Sequence, residues 1–133
     1  DMLDVLLAAL ALPVLAMNAC ADPAITHVAT GPVANNGDLT TYDFAVTLKN
    51  VGGANQPSSV LNSILIYQDA TKVDQKGAQP MRAGQTETVQ YQFQRSSQAH
   101  AGTTRLRFQL MVHDPHAPAQ NCSTANDVYR ISV

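Results

Sequence analysis

Three stretches of this chain alternate apolar and polar side chains with a period of two, and that alternation constrains the fold more than any other feature. In TYDFAVTLKN, Tyr42, Phe44, Val46 and Leu48 fall on one face, while Asp43, Ala45, Thr47 and Lys49 fall on the other. ETVQYQFQ sets Val89, Tyr91 and Phe93 against Gln90, Gln92 and Gln94. TRLRFQLMVH sets Leu106, Phe108, Leu110 and Val112 against Arg105, Arg107, Gln109, Met111 and His113. Successive side chains of a strand point to opposite faces, so the pattern predicts antiparallel sheets with one face in a core and one in water. AITHVA, the more apolar SILIYQD and the closing DVYRISV add further short strands. VGGA, RAGQ and DPHAP read as the turns between them, with Gly37 and Gly52 or Gly53 expected to supply positive φ. Six or seven short strands in about 110 residues, with no helix among them, predict an antiparallel sandwich.

The 133-residue length suits one domain with a possible appendage. The net charge is −2 and the eight Lys and Arg residues are scattered. Without a basic run to neutralise phosphates, nucleic acid is excluded as an expected partner. Charged residues make up only 14%, and polarity comes instead from Thr, Ser, Asn and Gln, a balance common in extracellular proteins. Cys20 and Cys122 lie near opposite ends and make no Cys-x-x-Cys pair. One reading is two free buried thiols. The expectation is a Cys20–Cys122 disulfide, which closes a loop of about 100 residues, contributes at most ~4.7 kcal/mol by the loop-entropy argument and implies an oxidising compartment.

Residue types that carry chemistry are few. MVHDPHAP groups His113, Asp114 and His116 beside Met111, but His113 falls on the outward face of its strand and the segment reads as a strand end entering an Asp-Pro turn. His27 and His100 have no spacing relation to it, and no metal site is expected. Asp69 and Asp74 flank a hairpin, and Glu87 faces solvent. No G-x-S-x-G elbow, G-x-G-x-x-G loop or Walker loop is present, so no catalytic residue and no cofactor are expected, and the chain is read as a non-enzyme. Arg105, Arg107 and Arg130 can share one outer face if the last two strands pair. One reading is a weak patch for acidic partners; the favoured one is edge protection and cross-strand pairing with glutamines and carboxylates. Asn121-Cys122-Ser123 fits the Asn-x-Ser sequon in form, although a glycan there would compete with the bridge.

YDFAVTLKNVGGA, IYQDATKVDQKGAQPMRAGQTETVQYQF and RLRFQLMVHDP occur in that order. Together they resemble the CARDB type of bacterial and archaeal immunoglobulin-like surface domain over about residues 24–133. That family runs through a K-N-x-G turn, a Y-x-D strand, an A-G-Q-[ST]-x-T-V stretch and a V-D-P. The resemblance implies an immunoglobulin-like antiparallel β-sandwich of about seven strands, secreted and used in surface architecture or adhesion. Members often close with an acidic E-x-N-x-x-N segment, whereas PAQNCSTANDVYRISV carries a cysteine and no glutamate. No cation site is expected there.

The start of the chain lies outside that resemblance. From Val5 to Met17 no side chain is polar, so a helix over residues 1–21 has no face for water. Thirteen such residues span about 20 Å as a helix, short of the ~30 Å hydrocarbon core. A retained leader is one reading, although the stretch lacks a basic n-region. A short membrane anchor on an adhesion or binding module is another. The third is a stem of Leu3, Asp4, Val5, Leu6, Leu7, Leu10, Leu12, Val14, Leu15 and Met17 packed among copies of itself. This plan resembles the hydrophobic N-terminal helix of type IV pilins, with Asp4 near their usual glutamate. The leading expectation is therefore a mainly β fold with an N-terminal helix at 1–21 and a sandwich at 22–133, serving as a non-catalytic subunit of an extracellular filament. Its expected partners are copies of itself, with cell surfaces, and the membrane before assembly.

Overall fold

The computed structural model describes residues 20–96, 103–116 and 121–133. Every regular element among them is a strand: β1 (Pro23–Thr30), β2 (Ala34–Asn36), β3 (Leu39–Asn50), β4 (Leu61–Gln68), β5 (Thr71–Ala78), β6 (Thr86–Ser96), β7 (Arg105–His113) and β8 (Val128–Ser132). They form two four-stranded sheets in which every pairing is antiparallel. In the first, β3 is central. It pairs with β6 from Leu39↔Ser96 to Lys49↔Thr86, while β1 and β2 share its other side. The second sheet runs β5-β4-β7-β8.

The alternating faces meet where the sequence places them. Phe44, Val46, Leu48, Val89, Tyr91 and Phe93 from the first sheet pack against Ile64, Ile66, Leu106, Phe108 and Leu110 from the second. Phe44 and Phe108 are fully enclosed, with ring centroids 5.6 Å apart, and Tyr91 meets Phe108 edge-on at 6.1 Å. Interlocked aromatic pairs of this kind add about 0.5–1.5 kcal/mol beyond their buried area.

The expected fold class is corrected on two counts. The β-sandwich stands, but it has eight strands, and the described residues contain no helix. Two strands escape the period-two signal. β2 is three exposed residues, and β5 is an edge strand with no fully buried position. The stem expected at Leu3, Asp4, Val5, Leu6, Leu7, Leu10, Leu12, Val14, Leu15 and Met17 lies outside the described residues. Cys20, Ala21 and Asp22, the first described, are not helical, because their backbone groups are engaged across the sandwich. The Cys20 carbonyl accepts from Ala54, the Ala21 carbonyl from Cys122 and the Asp22 carbonyl from Val51.

Asn50 organises this strap. Its side chain is wholly buried and uses all four of its polar positions. Oδ1 accepts from the Asp22 and Gly52 backbone N–H groups at 3.0 and 3.1 Å. Nδ2 donates to the carbonyls of Ala54 and Met81 at 2.8 and 3.1 Å. Gly52 is required here by proximity rather than by φ, since a Cβ on it would sit 2.7 Å from the Asp22 nitrogen and against the Cys20 carbonyl. Positive φ falls instead at Gly37 (62°) and Gly84 (79°). A second amide pair lies beside this node. Gln56 and Asn62 exchange reciprocal bonds of 2.9 and 2.8 Å, and Gln56 Oε1 also accepts from the Met81 N–H. The long β3–β4 connection is thereby tied down by side-chain amides as well as by the buried Val60.

Candidate functional site

The outer face of the second sheet carries one concentrated array of charge. The alternation of β7 that buries Leu106, Phe108 and Leu110 turns Arg105, Arg107 and Gln109 outward. In the register, Arg107 stands opposite Tyr67 of β4 on one side and opposite Arg130 of β8 on the other. Arg105 stands opposite Ser132. Tyr67, Arg107 and Arg130 therefore form a row across three strands, with Arg105 two register steps along on the same face. The Arg107 guanidinium lies over the Tyr67 ring, 4.1 Å from its centroid, and its Nε is buried without a hydrogen-bond partner. Buried polar atoms are nearly always paired in folded proteins, so this lone donor stands out.

These side chains line a cleft of about 630 Å³, together with Asp69, Ala70 and Thr103. Its rim is the two-residue β4–β5 turn, in which both Asp69 (φ 55°) and Ala70 (φ 126°) are left-handed. Asp tolerates this region, whereas for Ala it costs on the order of 1–3 kcal/mol. Two bonds hold the turn against β7. The Asp69 N–H donates to the Arg105 carbonyl at 2.9 Å, and the Arg105 N–H donates to Asp69 Oδ1 at 3.1 Å. Among the described residues no carboxylate forms an ion pair with Arg105, Arg107 or Arg130; Lys76–Asp74 is the pair present. The edge-protection reading of these arginines is thus incomplete. β7 is an interior strand, and Arg107 faces a tyrosine and another arginine rather than glutamines or carboxylates.

A second polar cluster lies where β1 and β8 meet, beside the Cys20–Cys122 disulfide. Asn126 Nδ2 reaches both carboxylate oxygens of the nearly buried Asp22 at 3.3 Å, and Asn121 Nδ2 donates to Asp127 Oδ2 at 2.6 Å. The Oδ1 atoms of Asn121, Asn126 and Asp127 are buried and unpartnered. Burial pushes the Asp127 carboxyl above its ordinary value; the Asn121 hydrogen bond opposes that rise and the nearby Asp22 charge adds to it. Carboxylate and amide oxygens of this kind suit a hard divalent cation such as Ca²⁺ and not a soft or imidazole-seeking metal.

The other sequence candidates are dispersed. His113 and His27 are exposed, and Asp114 is buried, where it accepts from Ser59 Oγ at 3.0 Å and the His116 N–H at 2.9 Å. Among the described residues no three His, Cys, Asp or Glu side chains converge as a metal site. Sequence reasoning missed Tyr67, Asp69, Ala70 and Thr103, which reach the cleft only through the β4–β7 register and the hairpin. Two adjacent non-glycine residues in a two-residue hairpin were the available signal.

No family model matches this sequence, and no curated protein matches it. Solved structures do. The CARDB domain of a Pyrococcus furiosus protein, described as a complex with di-metal ions, superposes with a TM-score of 0.62 at 16% identity, covering 86% of this chain and 87% of that one. A domain of a Methanosarcina acetivorans protein described as a cell surface protein gives 0.58 at 16% identity, covering 86% and 90%. The fold is CARDB-like. At this identity the likeness concerns architecture alone.

Proposed function

We propose that this chain is a non-catalytic binding module displayed at a cell surface, with the outer face of β4, β7 and β8 as its recognition surface. The observation that carries the reading is the row Tyr67–Arg107–Arg130, three strands wide and without an ion-paired carboxylate among the described residues, on a CARDB-like sandwich. A purely structural sheet face would place opposite charges across such a pair, because like charges directly opposed destabilise it. The disulfide supports an oxidising compartment. The Methanosarcina relative's description as a cell surface protein points the same way.

A non-catalytic role is supported by what the buried ionisable groups do. Asp114 caps a turn, and burial followed by the Asp74 charge raises the Tyr91 hydroxyl above its ordinary value. A hydroxyl pushed further from neutrality is poorly suited to general acid–base work at pH 7. The junction adds a further element to the proposal. Asp22, Asn121, Asn126 and Asp127 would hold a hard divalent cation, as the Pyrococcus domain holds metal ions, and the ion would neutralise two facing carboxylates at the disulfide. The filament reading depended on Leu3–Met17, outside the described residues, and nothing in the sandwich favours it.

Surface display is tested by labelling intact cells with a membrane-impermeant biotin reagent and by intact mass under non-reducing conditions. The proposal expects labelled protein with Cys20 and Cys122 oxidised. A chain that is protected from label and carries two free thiols would refute it.

A further inference from the structure

We propose that the cleft of Arg105, Arg107 and Arg130 binds an acidic saccharide, seating a uronate-type carboxylate on the guanidinium groups and the sugar hydroxyls on the rim. The proposal rests on the reading of this face as a recognition surface and names its ligand class.

The anionic part follows from the arginines. Arg107 and Arg130 are directly opposed on neighbouring strands, and Arg105 lies two register steps away on the same face. A planar carboxylate offers acceptors to more than one guanidinium at once, and Arg is the side chain best matched to that geometry. It would relieve the repulsion of the opposed pair. Stacking on Tyr67 fixes the plane of the Arg107 guanidinium before any ligand arrives, so little rotamer freedom is lost on binding.

The saccharide part follows from the rest of the lining. A bare anion would gain nothing from Asp69, whose carboxylate stands at the same cleft, whereas a sugar hydroxyl can donate to it. Thr103 and Ser132 offer hydroxyls at the mouth of the cleft. The cleft, about 630 Å³, falls within the ~300–1,000 Å³ of ordinary small-ligand sites. A long polyanion such as nucleic acid fits poorly, because the chain's net charge is −2 and the array spans two register steps. The left-handed Ala70 gives independent support. Backbone strain persists where surrounding contacts over-determine it, and it concentrates at binding sites.

The test is calorimetric titration of the full chain with hexagalacturonate at 50 mM salt, with its methyl ester and inorganic sulfate as comparison ligands. The expected result is saturable binding of the hexauronate, no binding of the ester, and at least tenfold weakening on raising the salt severalfold. Arg130→Gln, on an exposed side chain, should weaken binding about tenfold or more, and Arg107→Gln should do the same. Arg82→Gln, at an exposed turn elsewhere, should leave it unchanged. Circular dichroism of each variant separates lost binding from lost fold. Absence of hexauronate binding up to 10 mM, or binding indifferent to Arg130→Gln, overturns the proposal. Saturable sulfate binding without hexauronate binding overturns the saccharide assignment. Surface display stands or falls separately on the labelling experiment.

Discussion

Asn50→Ala should unravel the strap that closes one end of the sandwich, and its cost can be worked from the four bonds involved. The substitution leaves the Asp22 and Gly52 N–H groups and the Ala54 and Met81 carbonyls without their partner. A buried group left unsatisfied costs about 1–3 kcal/mol. The bonds to Ala54 and Gly52 are only partly buried, and water can replace them. The two enclosed groups, at Asp22 and Met81, then give roughly 2–6 kcal/mol, a large share of the ~5–15 kcal/mol stability of a domain. With a urea m-value of about 2 kcal/mol/M, the unfolding midpoint should fall by roughly 1–3 M. The chain has no tryptophan, so the transition is followed by far-UV circular dichroism. Asn50→Asp sharpens the test. It preserves shape and both acceptor bonds, but points a carboxylate at the Ala54 and Met81 carbonyls. That buried carboxyl would have a raised folded-state pKa, so the variant's deficit should shrink as the pH falls and protonation restores one donor. A loss below about 1 kcal/mol in Asn50→Ala, or a deficit in Asn50→Asp that ignores pH, would refute the four-bond account.

Two further perturbations probe the strained rim and the junction. Ala70→Gly should stabilise the protein by about 0.5–2 kcal/mol, the relieved left-handed strain less the extra freedom of an unfolded glycine, and scanning calorimetry should show a higher Tm. Because burial holds the folded-state pKa of Asp127 above its ordinary value, the fold binds that proton more tightly than the unfolded chain does. This group's contribution to stability therefore rises as the pH falls through its folded pKa towards the ordinary carboxyl value. Asp127→Asn should remove that dependence in urea titrations across the acid range. Millimolar Ca²⁺ should raise the wild-type Tm at neutral pH and leave Asp127→Asn largely unmoved; equal shifts in both would exclude the junction as a cation site.

What the sequence disclosed depended on whether a property is local. Phe44, Val89 and Phe108 announce their strands because burial alternates along a single segment, and all three enter the core. β5 leaves no such trace, since an edge strand with no fully buried position has no apolar rhythm. The cleft was hidden for a different reason. That Arg107 meets Tyr67 and Arg130 is a matter of which strands lie side by side and in what register, and no single segment encodes it. Gly52 shows the limit of turn rules. A glycine in VGGA reads as a positive-φ residue, but the structure needs its missing Cβ so that Ala21 and Asp22 can cross close by. Asn50 was visible as the end of a K-N-x-G turn, yet its four partners come from places 2 to 31 residues away.

The Cys20–Cys122 bond, 102 residues apart in sequence, also decides how the domain would respond to tension. A pull entering ahead of Cys20 crosses directly to Cys122 through a covalent link, so strands β1 to β7 sit in a closed ring that carries no load. Only β8, beyond Cys122, stands in the line of force. Its ladder with β7, from Gln109↔Val128 to Arg105↔Ser132, would give way first while the remainder kept its shape.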